Sequence, residues 1–97
     1  MKIIALEREL PTTKSEDYTP ELLKEEAEHV WNLYKSGKIR ENYFREDVHA
    51  VVLILECNDK SEAENLLKEF PLVKASLITF EIIPLVNYDG LERLFDK

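Results

Sequence analysis

Five residues carry the side-chain types that proton chemistry on a small acid requires: Glu7, Arg40, Tyr43, Arg45 and Glu81. Each falls in a stretch that reads as a β-strand, where a charge is costly unless it is paired. The planar fork of arginine suits a carboxylate, and a glutamate can carry a proton. On this reading Arg40 and Arg45 hold an anion as ligand-binding residues. Glu81 or Glu7 moves a proton, and Tyr43 orients the compound. The same charges, with Arg8 and Glu41, also read as ion pairs across an interface or as solvated strand ends. Structural networks perturb acidities as active sites do, so both readings stand at this point.

Other reactive types give less. His29 and His49 could each act as a base, but neither has a carboxylate at a fixed spacing, and both read as surface or flanking positions. They are not spaced as metal ligands. Cys57 is the single cysteine and ends an apolar run, which reads as a buried, inert thiol. With glycine only at positions 37 and 90, there is no glycine-rich phosphate loop. No cofactor and no metal are therefore expected. Trp31, Tyr34, Tyr43, Phe44 and Phe80 either line a small apolar pocket or fill the core.

The totals narrow the setting. A chain of 97 residues suits one domain, residues 1–97. A net charge of −7 disfavours nucleic acid and anionic membrane surfaces as partners. No apolar run approaches the roughly 20 residues of a membrane span. The opening apolar stretch is too short for a signal-peptide core, so the expected location is the cytoplasm.

The elements that must position these residues read in the order β-α-β-β-α-β. Lys2–Leu10 is a strand with apolar residues on both faces. A polar loop leads to Thr19-Pro20, a helix cap followed by a first-turn proline. Tyr18 and Leu23 occupy the places of a hydrophobic staple. The helix runs to about Ser36, with Leu23, Ala27, Val30 and Tyr34 as its apolar stripe and Gly37 as its stop. The acidic side of that helix, Glu21, Glu25, Glu26 and Glu28, reads as a solvated surface. Ile39–Arg45 and Val48–Cys57 are strands joined through a tight turn at Glu46-Asp47, hence an antiparallel hairpin. Val51–Leu55 is apolar without a break, the mark of a central strand. Ser61 and Glu64 have capping-box spacing at the start of a second helix, which Pro71 ends. A last strand, about Leu77–Leu85, carries Pro84 near its end and is placed at a sheet edge.

This order gives an α+β, ferredoxin-like sandwich with strand order 4-1-3-2 and both helices on one face. The other face would be bare and apolar, which a sheet-to-sheet homodimer would cover. The passage Phe70-Pro71-Leu72-Val73 followed by Leu77-Ile78-Thr79-Phe80-Glu81-Ile82-Ile83-Pro84-Leu85 resembles the muconolactone isomerase-like group of the dimeric α/β-barrel superfamily. So does the junction Trp31–Glu41 with Tyr43-Phe44-Arg45. The resemblance implies a dimeric α/β barrel, or a higher oligomer built on it. It also implies cofactor-independent isomerisation or proton transfer on a small carboxylated compound. The alternative is a non-enzymatic dimer that binds a small molecule or serves as an accessory subunit. One departure stands out: the group follows its final Pro-Leu with His-Pro, whereas here the chain continues Val86-Asn87-Tyr88-Asp89-Gly90.

Overall fold

In a computed structural model, which describes residues 1–96, four antiparallel strands form one sheet. They are β1 (Lys2–Glu9), β2 (Ile39–Phe44), β3 (Val51–Glu56) and β4 (Ile78–Pro84), in the order β2-β3-β1-β4. This is the expected 4-1-3-2 arrangement. Three helices accompany them: α1 (Pro20–Lys35), α2 (Lys60–Lys68) and the single turn α3 (Pro71–Lys74).

Local chemistry sets the boundaries. The Thr19 hydroxyl accepts the Leu22 amide at 3.2 Å and caps α1. Gly37 ends that helix with φ +84°, a left-handed turn that a side chain would strain. Its successor Lys38 donates back to the Leu33 carbonyl at 3.0 Å. The cap of α2 is Asp59, not Ser61. The Asp59 carboxylate accepts the Glu62 amide at 2.8 Å, and Glu62 accepts the Asn58 amide at 2.9 Å. This reciprocal pair begins the helix two residues earlier than the Ser61 spacing suggests. Pro71 does not merely end α2; it starts α3, where its missing amide donor costs nothing.

Inward-facing side chains build the core. Ile3, Ala5, Ile39, Leu53, Leu55, Cys57, Ala63, Leu67 and Phe70 form one buried cluster between sheet and helices. Leu72, Leu77 and Ile78 form a smaller one beneath α3. The opposite sheet face carries Ile4, Leu6, Val52, Ile54 and Ile83, all half-buried with no layer above them.

Three details depart from the sequence reading. The β2–β3 connection spans residues 45–50 and is no tight turn, because Arg45 clamps Asp47 at 2.8 Å and donates its amide to the Ala50 carbonyl at 2.9 Å. A bulge at Arg40 shifts the β2 register: Ile39 pairs with Leu55, but Glu41 pairs with Ile54. Ile39 and Tyr43 therefore lie on opposite faces, although their spacing is even. The largest departure is in α1. Its half-buried positions are Leu22, Glu26, His29, Val30 and Leu33, while Leu23, Trp31 and Tyr34 are about half exposed. The packed arc is turned roughly a quarter of a turn from the stripe Leu23-Ala27-Val30-Tyr34.

Candidate functional site

The rotation of α1 places a carboxylate at the centre of its packed face. Glu26 is half-buried and accepts the Leu72 amide of α3 at 3.0 Å. Burial raises its pKa above the ordinary carboxylate value, the Leu72 amide partly offsets this, and repulsion from Glu7 adds to the rise. Glu7 lies on β1 and pairs across the sheet with Phe80, on the face beneath the helices. Burial raises its pKa also, opposed by the Val51 amide and by the charge of His49. Two half-buried carboxyls thus lie on the facing sides of α1 and β1, each held back from ionising by its burial.

Polar and aromatic groups surround them. His29, near Glu26 on α1, packs edge-on against Phe70 with centroids 4.7 Å apart. Its Nε2 is buried with no hydrogen-bond partner among the described residues. Burial lowers the His29 pKa, and Lys74 lowers it further against a smaller opposing pull from Glu69. The Tyr18 hydroxyl donates to Glu9 at 2.8 Å, and burial with that carboxylate drives its pKa upward. His49 stacks on Phe44 with centroids 4.3 Å apart.

On the outer side of α1, against β2, lies a groove of about 440 Å³. Its walls include Val30, Trp31, Tyr34, Arg40, Asn42 and Tyr43. Arg40 makes no ion pair among the described residues. Val30 belongs to both regions: it lines the groove and sits one turn beyond Glu26, an i,i+4 neighbour about 6 Å away. A second hollow of about 130 Å³ lies between α2 and β4, beside Leu67 and Phe80.

The residues singled out by type and strand position do not form one cluster. Arg40 and Tyr43 both border the groove, but the register turns the Tyr43 side chain to the bare sheet face. Glu7 faces the helices. Glu81 is on the opposite sheet face, exposed and ion-paired with Arg8 at 2.5 Å. Tyr43 and Glu81 occupy one cross-strand row, Tyr43-Val52-Leu6-Glu81, but at its two ends, about 14 Å apart. The Tyr43 hydroxyl donates to Glu41 at 2.6 Å. Arg45 sits at the β2–β3 turn in its pair with Asp47. Glu26 escaped the sequence reading because a glutamate in an acidic helix looks solvated; His29, named there as a possible base, read as a surface or flanking position and is half-buried instead. The available signal was the arc Leu22-Glu26-Val30-Leu33, a stripe of the right period with a carboxylate inside it. Among the described residues, no group of three or more His, Cys, Asp or Glu side chains could hold a metal ion.

Comparison with known structures decides the fold. The muconolactone isomerase crystal structure superposes with a TM-score of 0.75 over 93% of this chain and 93% of that one, at 16% identity. This chain has the fold of muconolactone isomerase. A 5-chloro-2-hydroxyhydroquinone dehydrochlorinase from Burkholderia phenoliruptrix AC1100, solved in complex with 2,5-dihydroxybenzoquinone, is also similar. It gives a TM-score of 0.62 over 93% of this chain and 98% of that chain, again at 16% identity. No family model and no curated protein matches the sequence. No helix among the described residues is long and apolar enough to cross a membrane.

Proposed function

We propose that this protein takes a small carboxylated compound into the α1–β2 groove and moves a proton on it without a cofactor. The observation that carries the reading is Glu26: a carboxylate at the centre of a packed helix face, opposed by Glu7 and hindered from ionising. Two such carboxyls can divide the roles of acid and base, because their surroundings differ. Glu26 stands one turn before the groove-lining Val30, on the packed side of α1, and Glu7 is its proton partner. Arg40 offers an open guanidinium for the substrate carboxylate, and Trp31 and Tyr34 offer faces for a flat ring. Of the other candidates, Glu81 and Arg45 are already ion-paired, and we assign them to structural support. The unit is a single-domain chain that pairs with a second copy through the bare sheet face. It works in the cytoplasm, where the one thiol, Cys57, stays reduced. The activities named for the two similar structures, isomerisation and dehydrochlorination, favour small-molecule chemistry of this kind.

The test begins with a thermal-shift screen of small organic acids and lactones, followed by turnover assays on each hit. Glu26→Gln should lower turnover by about 10²–10⁴-fold, the usual contribution of a positioned acid or base. Arg40→Ala should weaken binding of the same carboxylate by about 10- to 100-fold, the worth of a charge-assisted hydrogen bond. Ligands that bind but never react would favour the non-enzymatic binding protein. Turnover unchanged in Glu26→Gln would remove the carboxyl pair from the mechanism.

A further inference from the structure

The hollow between α2 and β4 shares no residue with the α1–β2 groove. Its walls are Leu67 on α2, Val73 on α3, and Phe80 and Ile82 on β4, with Thr79 beside them on the edge strand. Leu67 is buried and the other three apolar walls are half-buried. They are held from behind. The Phe80 ring rests edge-on against Phe70 at 5.4 Å, and Phe70 is itself 1% exposed. Pro71 sets the start of α3, and the Val73 amide donates to the Phe70 carbonyl at 3.0 Å. Walls fixed in this way do not close on the space between them, and about 130 Å³ stays open. An apolar cavity of about 150 Å³ accepts benzene, so this hollow takes a group of roughly four to six carbons.

The lip of the hollow carries two opposite charges. Glu64 and Lys68 stand one turn apart on α2, where i,i+4 neighbours lie about 6 Å from each other. Neither forms an ion pair among the described residues. A simple anion would gain from Lys68 and be repelled by Glu64; a simple cation would meet the reverse. A molecule with both charges at one end and a small apolar group at the other matches lip and walls together. A free α-amino acid with a branched aliphatic side chain has that chemistry, because its ammonium and carboxylate share one carbon.

We propose that the α2–β4 hollow binds a free α-amino acid with a side chain of about the size of leucine's. Its carboxylate meets Lys68, its ammonium meets Glu64, and its side chain lies against Leu67, Phe80 and Ile82. The site is separate from the groove and does not depend on the reaction proposed there. Phe80 is also the cross-strand partner of Glu7, so the occupied hollow adjoins the strand pair that carries that carboxyl.

The test is a titration of the full chain followed by methyl and aromatic proton NMR. The probes are L-leucine, isocaproate, which lacks the ammonium, and isoamylamine, which lacks the carboxylate. Leucine should give saturable shifts at Leu67, Val73, Phe80 and Ile82, with a Kd on the order of 1 mM. Each single-charge analogue should bind about three- to ten-fold more weakly, the worth of one exposed charge contact. Lys68→Met alters one exposed side chain; it should weaken leucine by the same factor and leave isoamylamine unchanged. Ile82→Phe should fill the hollow and abolish the shifts; if that variant does not fold, Lys68→Met and the two analogues still decide. Shifts that never saturate, that fall on groove residues instead, or that are equally strong with either analogue would overturn the proposal. Movement of the same signals with protein concentration alone would make a second copy the occupant and overturn it too.

Discussion

Replacing Glu26 by glutamine should make the protein more stable while it disables the chemistry. Glutamine keeps the carbonyl oxygen that accepts the Leu72 amide, now 3.0 Å away, and keeps nearly the same volume. It loses the difference between a charged and a neutral hydrogen bond, about 1 kcal/mol. It also removes a carboxylate that is half out of water and repelled by Glu7, a gain of about 3 kcal/mol for a fully buried group. Water still reaches Glu26, so that gain is reduced to roughly 2 kcal/mol. The net is about 1 kcal/mol in favour of the variant at pH 7, or about 4–8 °C in Tm for a domain of this size. The pH dependence has a definite sign. The folded pKa of Glu26 lies above its ordinary 4.5, so the native chain binds more protons there than the unfolded chain. Its stability relative to the variant is fully present below 4.5 and is lost as pH rises through the folded value. The variant's advantage should therefore vanish in acid and grow toward neutrality. Differential scanning fluorimetry from pH 3.5 to 8 measures this directly. A Glu26→Gln protein that melts lower than the parent at pH 7 would refute the reasoning. It would show the carboxylate to be an anchor for α3 rather than a group held under strain.

Two further outcomes test the frame around the site. Phe70 is 1% exposed and touches both His29 and Phe80, so Phe70→Ala should cost about 3–5 kcal/mol in urea unfolding; a loss under 1 kcal/mol would mean the core beneath α1 is not closed there. Ile54→Lys puts a charge in the middle of the bare sheet face, and sedimentation should show monomers with an unchanged far-ultraviolet spectrum; a persisting dimer would locate the pairing surface elsewhere.

The strand and helix order was legible because period and punctuation agree. The unbroken Val51–Leu55 run marks the inner strand β3, Pro84 closes the edge strand β4, and Thr19-Pro20 opens α1. The faces were less legible. One extra residue at Arg40 reverses the alternation of β2, and nothing in Ile39-Arg40-Glu41 announces it. On α1, hydrophobicity points to Leu23, Ala27 and Tyr34, yet the helix packs about Glu26 and His29. Patterning assumes that polar groups face water, so it errs where a polar group is buried. That is also why Glu7 was picked out, as a charge inside an apolar strand, and Glu26 was not, as one glutamate among several on an acidic helix.

The bulge at Arg40 and the proline at Pro84 also bear on how the protein survives at high concentration. They sit on the two outermost strands, where unpaired amides and carbonyls would otherwise recruit further strands. The bulge interrupts the ladder of β2, and Pro84 withholds a donor at the end of β4. Growth of the sheet sideways, from molecule to molecule, is hindered at both borders. The apolar surface this chain leaves open can thus be spent on a closed assembly rather than on fibres.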